Sequence, residues 1–148
     1  LKECVYDIMD AIKEKDAFLA TGHISPEESL ILCTEGRKRG LNMILTHPEF
    51  PRTTIGRDDQ AELAKLGVVI EKNWFNLAQK SVMPEEMAET IRTVGSGHVY
   101  LATDRGQKGA PTPVSELKRF IAVMLTCGIA EAQIRDMVQK VPEEVVCR

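Results

Sequence analysis

Four short apolar runs limit what this chain can fold into. They are Ala17–Thr21, Asn42–Thr46, Val68–Ile70 and His98–Thr103, and a segment with helix signals follows each one. The runs are nearly continuously apolar rather than alternating, as expected of strands when helices cover a parallel sheet. The β-then-α rhythm recurs at roughly 25 to 30 residues, which predicts an α/β fold of repeated βα units. The weak internal repetition is this unit itself. No shift in composition or low-complexity stretch divides the chain, so residues 1–148 are expected to form one domain.

The helix boundaries are readable from their end signals. Leu1, Val5, Ile8, Met9 and Ile12 share one face of a helix ending near residue 15. Gly22 permits a tight backbone path after the first strand. In Ser25-Pro26-Glu27-Glu28 the serine can cap, the proline suits the first helical position, and Glu28 completes a capping box. That helix is expected to reach Arg39 and stop at Gly40. Pro48 and Pro51 make the stretch after His47 a loop. Asp58 or Asp59 is expected to open the next helix, which ends near Leu66-Gly67. Glu71 is expected at the end of the third strand, and residues 73–82 as an irregular connection carrying Trp74 and Phe75. Pro84-Glu85-Glu86 starts a helix that stops before Gly95. Thr112-Pro113 starts another, with Leu117, Phe120, Ile121, Met124 and Leu125 on its apolar face and Gly128 at its end. A last helix over about 130–140 is expected to break at Pro142.

Composition excludes several classes of function. The chain is 43% hydrophobic and 28% charged, enough to bury a sizeable core. A net charge of −3 and a pI near 5.7 give no electrostatic case for nucleic acid or an anionic membrane. The Arg37-Lys38-Arg39 run falls at a helix C-terminus, where it complements the helix dipole. Cys4, Cys33, Cys127 and Cys147 are widely spaced, with no C-x-x-C pair, and Cys33 and Cys127 read as small core residues. A reducing, cytoplasmic setting is expected. No apolar run has the length of a membrane span, and the first residues do not form a signal peptide.

Four strands pose a counting problem. A closed (β/α)8 barrel needs eight strands and typically about 250 residues. The chain is therefore read as a fragment of a longer enzyme, as a half that pairs with a partner chain, or as a small doubly wound domain. Its start inside a helical pattern, at Leu1, favours the first two readings.

Three of the apolar runs end in a residue that can bind a metal: His23, His47 and Asp104. Catalytic groups of an α/β barrel sit at the C-terminal ends of its strands. Two neutral imidazoles and a carboxylate converging there suit zinc best, and also iron or manganese. The ion would lower the pKa of a bound water and generate a nucleophile, with Asp104 as general base. Glu71 falls on the same rim, as do Glu49, Arg105 and Gln107 in loops. Glu71, Arg105 and Gln107 are candidate substrate contacts, Glu71 alternatively holding a metal ligand from behind and Arg105 suiting a carboxylate or phosphate. His98 begins its strand, on the opposite rim, and reads as structural. Trp74, Phe75 and the methionines read as core.

This pattern resembles the second half of an amidohydrolase-superfamily barrel. That family is a metal-dependent (β/α)8 fold. It takes ligands from a His-x-His on strand one, a Lys or carboxylate on strand four, single histidines on strands five and six, and an Asp on strand eight. His23 matches the fifth-strand position and His47 the sixth. Val68 to Glu71 matches the ligand-free seventh strand, and Asp104 in Ala102-Thr103-Asp104 matches the eighth. Thr46-His47-Pro48-Glu49-Phe50-Pro51 and Thr103-Asp104-Arg105-Gly106-Gln107 also resemble a little-characterised branch of such hydrolases. The resemblance covers about Ala17 to Val146. It departs in lacking the His-x-His and fourth-strand ligand, and in Val141-Pro142 where relatives commonly have Asn-Pro.

The resemblance implies strands 5–8 of a TIM-type barrel with their flanking helices. It also implies a divalent metal on His23, His47 and Asp104, and hydrolysis of an amide, ester, lactone or phosphoester of small-molecule size. A phosphodiesterase or deoxyribonuclease of the same barrel type is an alternative, as is a non-catalytic half-barrel for binding or assembly. The expected partner is the missing N-terminal half or another chain, which allows a homo-oligomer.

Overall fold

The computed structural model describes residues 1–147. Helix α1 (Glu3–Glu14) leads into β1 (Phe18–Ala20), and α2 (Pro26–Lys38) connects β1 to β2 (Asn42–Leu45). Helix α3 (Arg57–Lys65) precedes β3 (Val69–Asn73). Helices α4 (Trp74–Ala78) and α5 (Pro84–Val94) then precede β4 (Val99–Ala102). The chain closes with α6 (Pro113–Thr126), α7 (Glu131–Arg135), a wide π turn over Asp136–Lys140, and α8 (Val141–Val146).

Each strand pairs in parallel with its neighbour in sequence, in the order β1-β2-β3-β4. Phe18 lies beside Asn42, Ile44 beside Val69, and Glu71 beside Tyr100. Parallel crossovers are right-handed, so a sheet whose order never reverses carries its helices on one side. A doubly wound sheet needs a reversal, and the described residues contain none. Met43, Leu45, Ile70, Val99 and Leu101 point to the helices. There they meet Met9, Cys33, Leu63, Met87, Ile91, Phe120 and Met124 in one buried cluster. Phe18, Asn42, Val69, Tyr100 and Ala102 alternate to the other face. They are only half-buried and stand outside that cluster.

Local chemistry explains most boundaries. Ser25 Oγ accepts from the Glu28 N–H, and Glu28 returns the bond to the Ser25 N–H, so the capping box forms as expected. Gly22, Gly40, Gly95 and Gly128 turn the chain with positive φ at the expected places.

Four expectations need correction. Strand β3 does not stop at Ile70-Glu71 but runs to Asn73, because Lys72 enters the core with a carboxylate partner while Glu71 and Asn73 face the other side. Residues 74–78 form a helix, since the Asn73 Oδ1 accepts from the Phe75 N–H and caps it. Helix α3 starts at Arg57 behind Gly56, so Asp58 and Asp59 lie in its first turn. Pro142 does not end the last helix. It has no N–H for the carbonyl four residues back, and the π turn before it absorbs the mismatch and lets α8 follow. Of the core-assigned residues, Cys127 is half-buried and packs against the cluster, and Met83 is 57% exposed ahead of Pro84. Among the described residues no helix is long and apolar enough to cross a membrane.

Candidate metal centre

The C-terminal ends of β1 and β2 are tied together just before their histidines. The Thr21 N–H donates to the Ile44 carbonyl, and the Thr21 Oγ1 accepts from the Thr46 N–H, both at 3.0 Å. The backbone then turns left-handed at Gly22 (φ 63°) and at His47 (φ 50°). These turns bring the two imidazoles together, with ring centroids 4.9 Å apart and planes tilted by 35°. Phe50 stands edge-on to His23 at 6.1 Å and 6.3 Å from His47. His23 is exposed, whereas His47 is buried.

Strand β3 holds His47. Its N–H donates to the Glu71 Oε2 at 3.0 Å, and its carbonyl accepts from the Phe50 N–H and the Thr53 hydroxyl. The Asn73 Nδ2 lies 3.3 Å from the His47 Nδ1. Because the Asn73 Oδ1 is taken by the Phe75 N–H, the amide's amino group faces the ring. The Nδ1 therefore accepts, which leaves the proton of the neutral ring on Nε2. The Glu71 Oε2 is 3.7 Å from the Nδ1. The Tyr100 hydroxyl, from the neighbouring strand, also bonds Glu71. Burial first, then the charge and hydrogen bond of Glu71, push this phenol well above its usual range.

Asp104 follows β4 after Thr103. It is exposed, with φ 49°, and its carbonyl accepts from the Gln107 Nε2 at 2.9 Å. Among the described residues no three of His, Cys, Asp and Glu come together closely enough to hold a metal ion. The fold thus pairs His23 with His47 and sets Glu71 beside His47, and Asp104 does not complete a group of three with them. Gln107 is exposed. His98 is exposed at the opposite end of the sheet, beside a cavity of about 230 Å³ that also touches Phe18, Asn42 and Val69.

Arg105 does not present a free charge to the rim. Its side chain is 13% exposed, its Nε lies 3.3 Å from the Glu116 Oε2, and its guanidinium stacks 5.6 Å from the Phe75 ring centre. Glu116 is itself buried and also accepts from the Trp74 indole N–H. Glu49 is likewise turned inward. It pairs with the fully buried Lys72, whose ammonium also donates to the Gln60 Oε1. Burial pulls the Lys72 pKa down, and Glu49 partly opposes the shift. A cavity of about 680 Å³ between α3 and α5 touches Pro48 and Glu49 but neither imidazole.

Asn73, Tyr100 and Lys72 escape a reading of the sequence alone. Tyr100 and Asn73 act through strand register and Lys72 through a partner 23 residues away, and none of the three belongs to a motif.

Residues 1–71, which carry both imidazoles and Glu71, are similar to a family of unknown function (DUF6282). No curated protein and no solved structure matches the chain.

Proposed function

We propose that this chain is the second half of a (β/α)8 barrel and serves a metal-dependent hydrolase, with His23 and His47 as two ligands of a divalent ion. The observation that carries this reading is the contact of the two imidazoles, 4.9 Å apart at the C-terminal ends of adjacent parallel strands. The winding supports it too. The crossover helices cover one face of the four sequential strands; on the second face Phe18, Asn42, Val69, Tyr100 and Ala102 are half-buried, and β4 packs against Asp136–Lys140 and α8. In a closed barrel that second face is the packed interior.

The donor chemistry fits in part. Neutral imidazole suits zinc, iron and manganese alike, with zinc the first choice. Asp104, at the end of β4, is the proposed carboxylate of the set and the group that takes a proton. The preceding half of the barrel, or a partner chain, would supply further ligands. A bound ion would polarise the scissile bond of an amide, ester, lactone or phosphoester and acidify a water.

The chain's own residues prepare the site. Glu71 holds the His47 backbone and stands near the Nδ1. There it can accept a hydrogen bond from the Nδ1 once the ring proton sits on that nitrogen and Nε2 is left to a ligand, a change in which the Nδ1 ceases to accept from Asn73. Without an ion Asn73 fixes the ring plane, and Tyr100 holds Glu71. The acidic net charge of −3 disfavours a polynucleotide substrate, which ranks the deoxyribonuclease reading second. The half-buried second face equally supports assembly with another half, which a vestigial site would not prevent.

Elemental analysis tests the reading. After loading with Zn²⁺ and exhaustive gel filtration, the wild-type protein is expected to retain metal, and His23→Ala and His47→Ala are expected to lose it. A wild type that retains no zinc, iron or manganese, or variants that retain as much as the wild type, would overturn it.

A further inference from the structure

Two candidate ligands share an arrangement that the metal reading does not require. His47 and Asp104 are both non-glycine residues in the left-handed region, and each stands two residues beyond the end of its strand. Within two residues, each loop sends a charged side chain back under the sheet to a buried opposite charge. Glu49, two residues after His47, meets the fully buried Lys72 of β3. Arg105, one residue after Asp104, meets Glu116 of α6, which is 2% exposed.

The first pair belongs to a wider tie. Lys72 also donates to the Gln60 Oε1, the Gln60 Nε2 donates to the Ile55 carbonyl at 2.7 Å, and the Ile55 N–H donates to the Pro48 carbonyl at 3.0 Å. Both ends of the loop over residues 48–55 are thereby fixed. Strand β3 grips that loop from its two faces, through Glu71 and Asn73 at His47 on one side and through Lys72 at Glu49 on the other. In the second pair, Glu116 also bonds Trp74 and Arg119, so Arg105 is held against α4 and α6 together.

Stability alone is a poor reason for such pairs, because desolvation cancels most of their attraction and apolar replacements are often as stable. We propose that Lys72–Glu49 and Arg105–Glu116 are positioning pairs. They anchor the two rim loops from the helix side and so set where His47 and Asp104 stand. The proposal rests on reading those two residues as ligands. Lys72, Glu49, Arg105 and Glu116 are positioning residues, not catalytic ones.

The test uses Zn²⁺ alone as probe and two variants, Lys72→Met/Glu49→Leu and Arg105→Gln. Three quantities are read: the urea midpoint, the nuclear Overhauser contact between the His23 and His47 rings without metal, and the zinc dissociation constant. The double variant is expected to keep its midpoint, lose the ring contact, and bind zinc about 10 to 100 times more weakly, the usual effect of removing an outer support. Arg105→Gln is expected to keep the ring contact and still bind zinc about tenfold more weakly. Variants that fold, keep the ring contact and bind zinc as tightly as the wild type would overturn the proposal. If the wild type binds no zinc, the metal reading falls, and the ring contact still decides the Lys72–Glu49 pair. If the double variant does not fold, Arg105→Gln decides.

Discussion

His47 and Asp104 hold their backbones at φ 50° and 49°, where a side chain meets the carbonyl that follows it. Strain of this kind persists where the surrounding structure fixes it, often at functional sites. Asp104→Gly is therefore expected to be more stable than Asp104→Ala by about 1–2 kcal/mol, since both lack the carboxylate and only glycine is at ease there. Urea denaturation of the pair measures this, and equal stability would show that the turn is not held. Cys33 supplies a pH dependence. Burial pushes its thiol from 9.0 up to about 12, so the folded state holds the proton more tightly than the unfolded state. Its contribution is complete below pH 9.0 and drains away as the pH rises towards about 12. Wild type is expected to lose more stability than Cys33→Ala on moving above pH 9.0. His23 and His47 were legible in the sequence because each closes an apolar run. The turn at Gly22 was legible as well, but the left-handed turn at His47 was not, because Glu71 and Asn73 of β3 hold that residue and no local pattern names them. Arg105 read as a free rim charge because its pairing with Glu116 of α6 is a tertiary contact that no local spacing predicts.

At the scale of elements, α2 and β2 meet through a missing side chain. A methyl group added at Gly36 would collide with the Met43 thioether, which is fully buried. Alanine favours a helix over glycine by up to about 1 kcal/mol. The clash in a close-packed core opposes this with about 1–3 kcal/mol. Gly36→Ala is expected to be net destabilising, and a rise in thermal midpoint would show that the two elements can separate freely. At the other end of α2, Ser25→Ala removes the cap and is expected to cost about 1 kcal/mol. Caps of this kind are local, which explains why the starts of α2, α5 and α6 could be read from the sequence. The length of β3 and the existence of α4 could not. Lys72 looks like a strand end until its partner Glu49 is known, and a five-residue helix has too little periodicity to register.

At the scale of the whole molecule, one direction of winding puts all four strand ends on one rim and leaves the second sheet face only half-buried. The repetition of βα units was legible because each unit is local. The half-buried second face was not, since strand order is a matter of topology rather than of pattern. On that rim His23 and His47 are proposed to hold one ion between them. X-ray absorption at the zinc edge of the zinc-loaded protein reads this from the ion's side. The wild type is expected to show scattering from two imidazoles, with nitrogens at about 2.0–2.1 Å, and His23→Ala, measured in excess zinc because it loses the ion on gel filtration, scattering from one. A zinc shell without imidazole scattering, or one unchanged in His23→Ala, would contradict the claim.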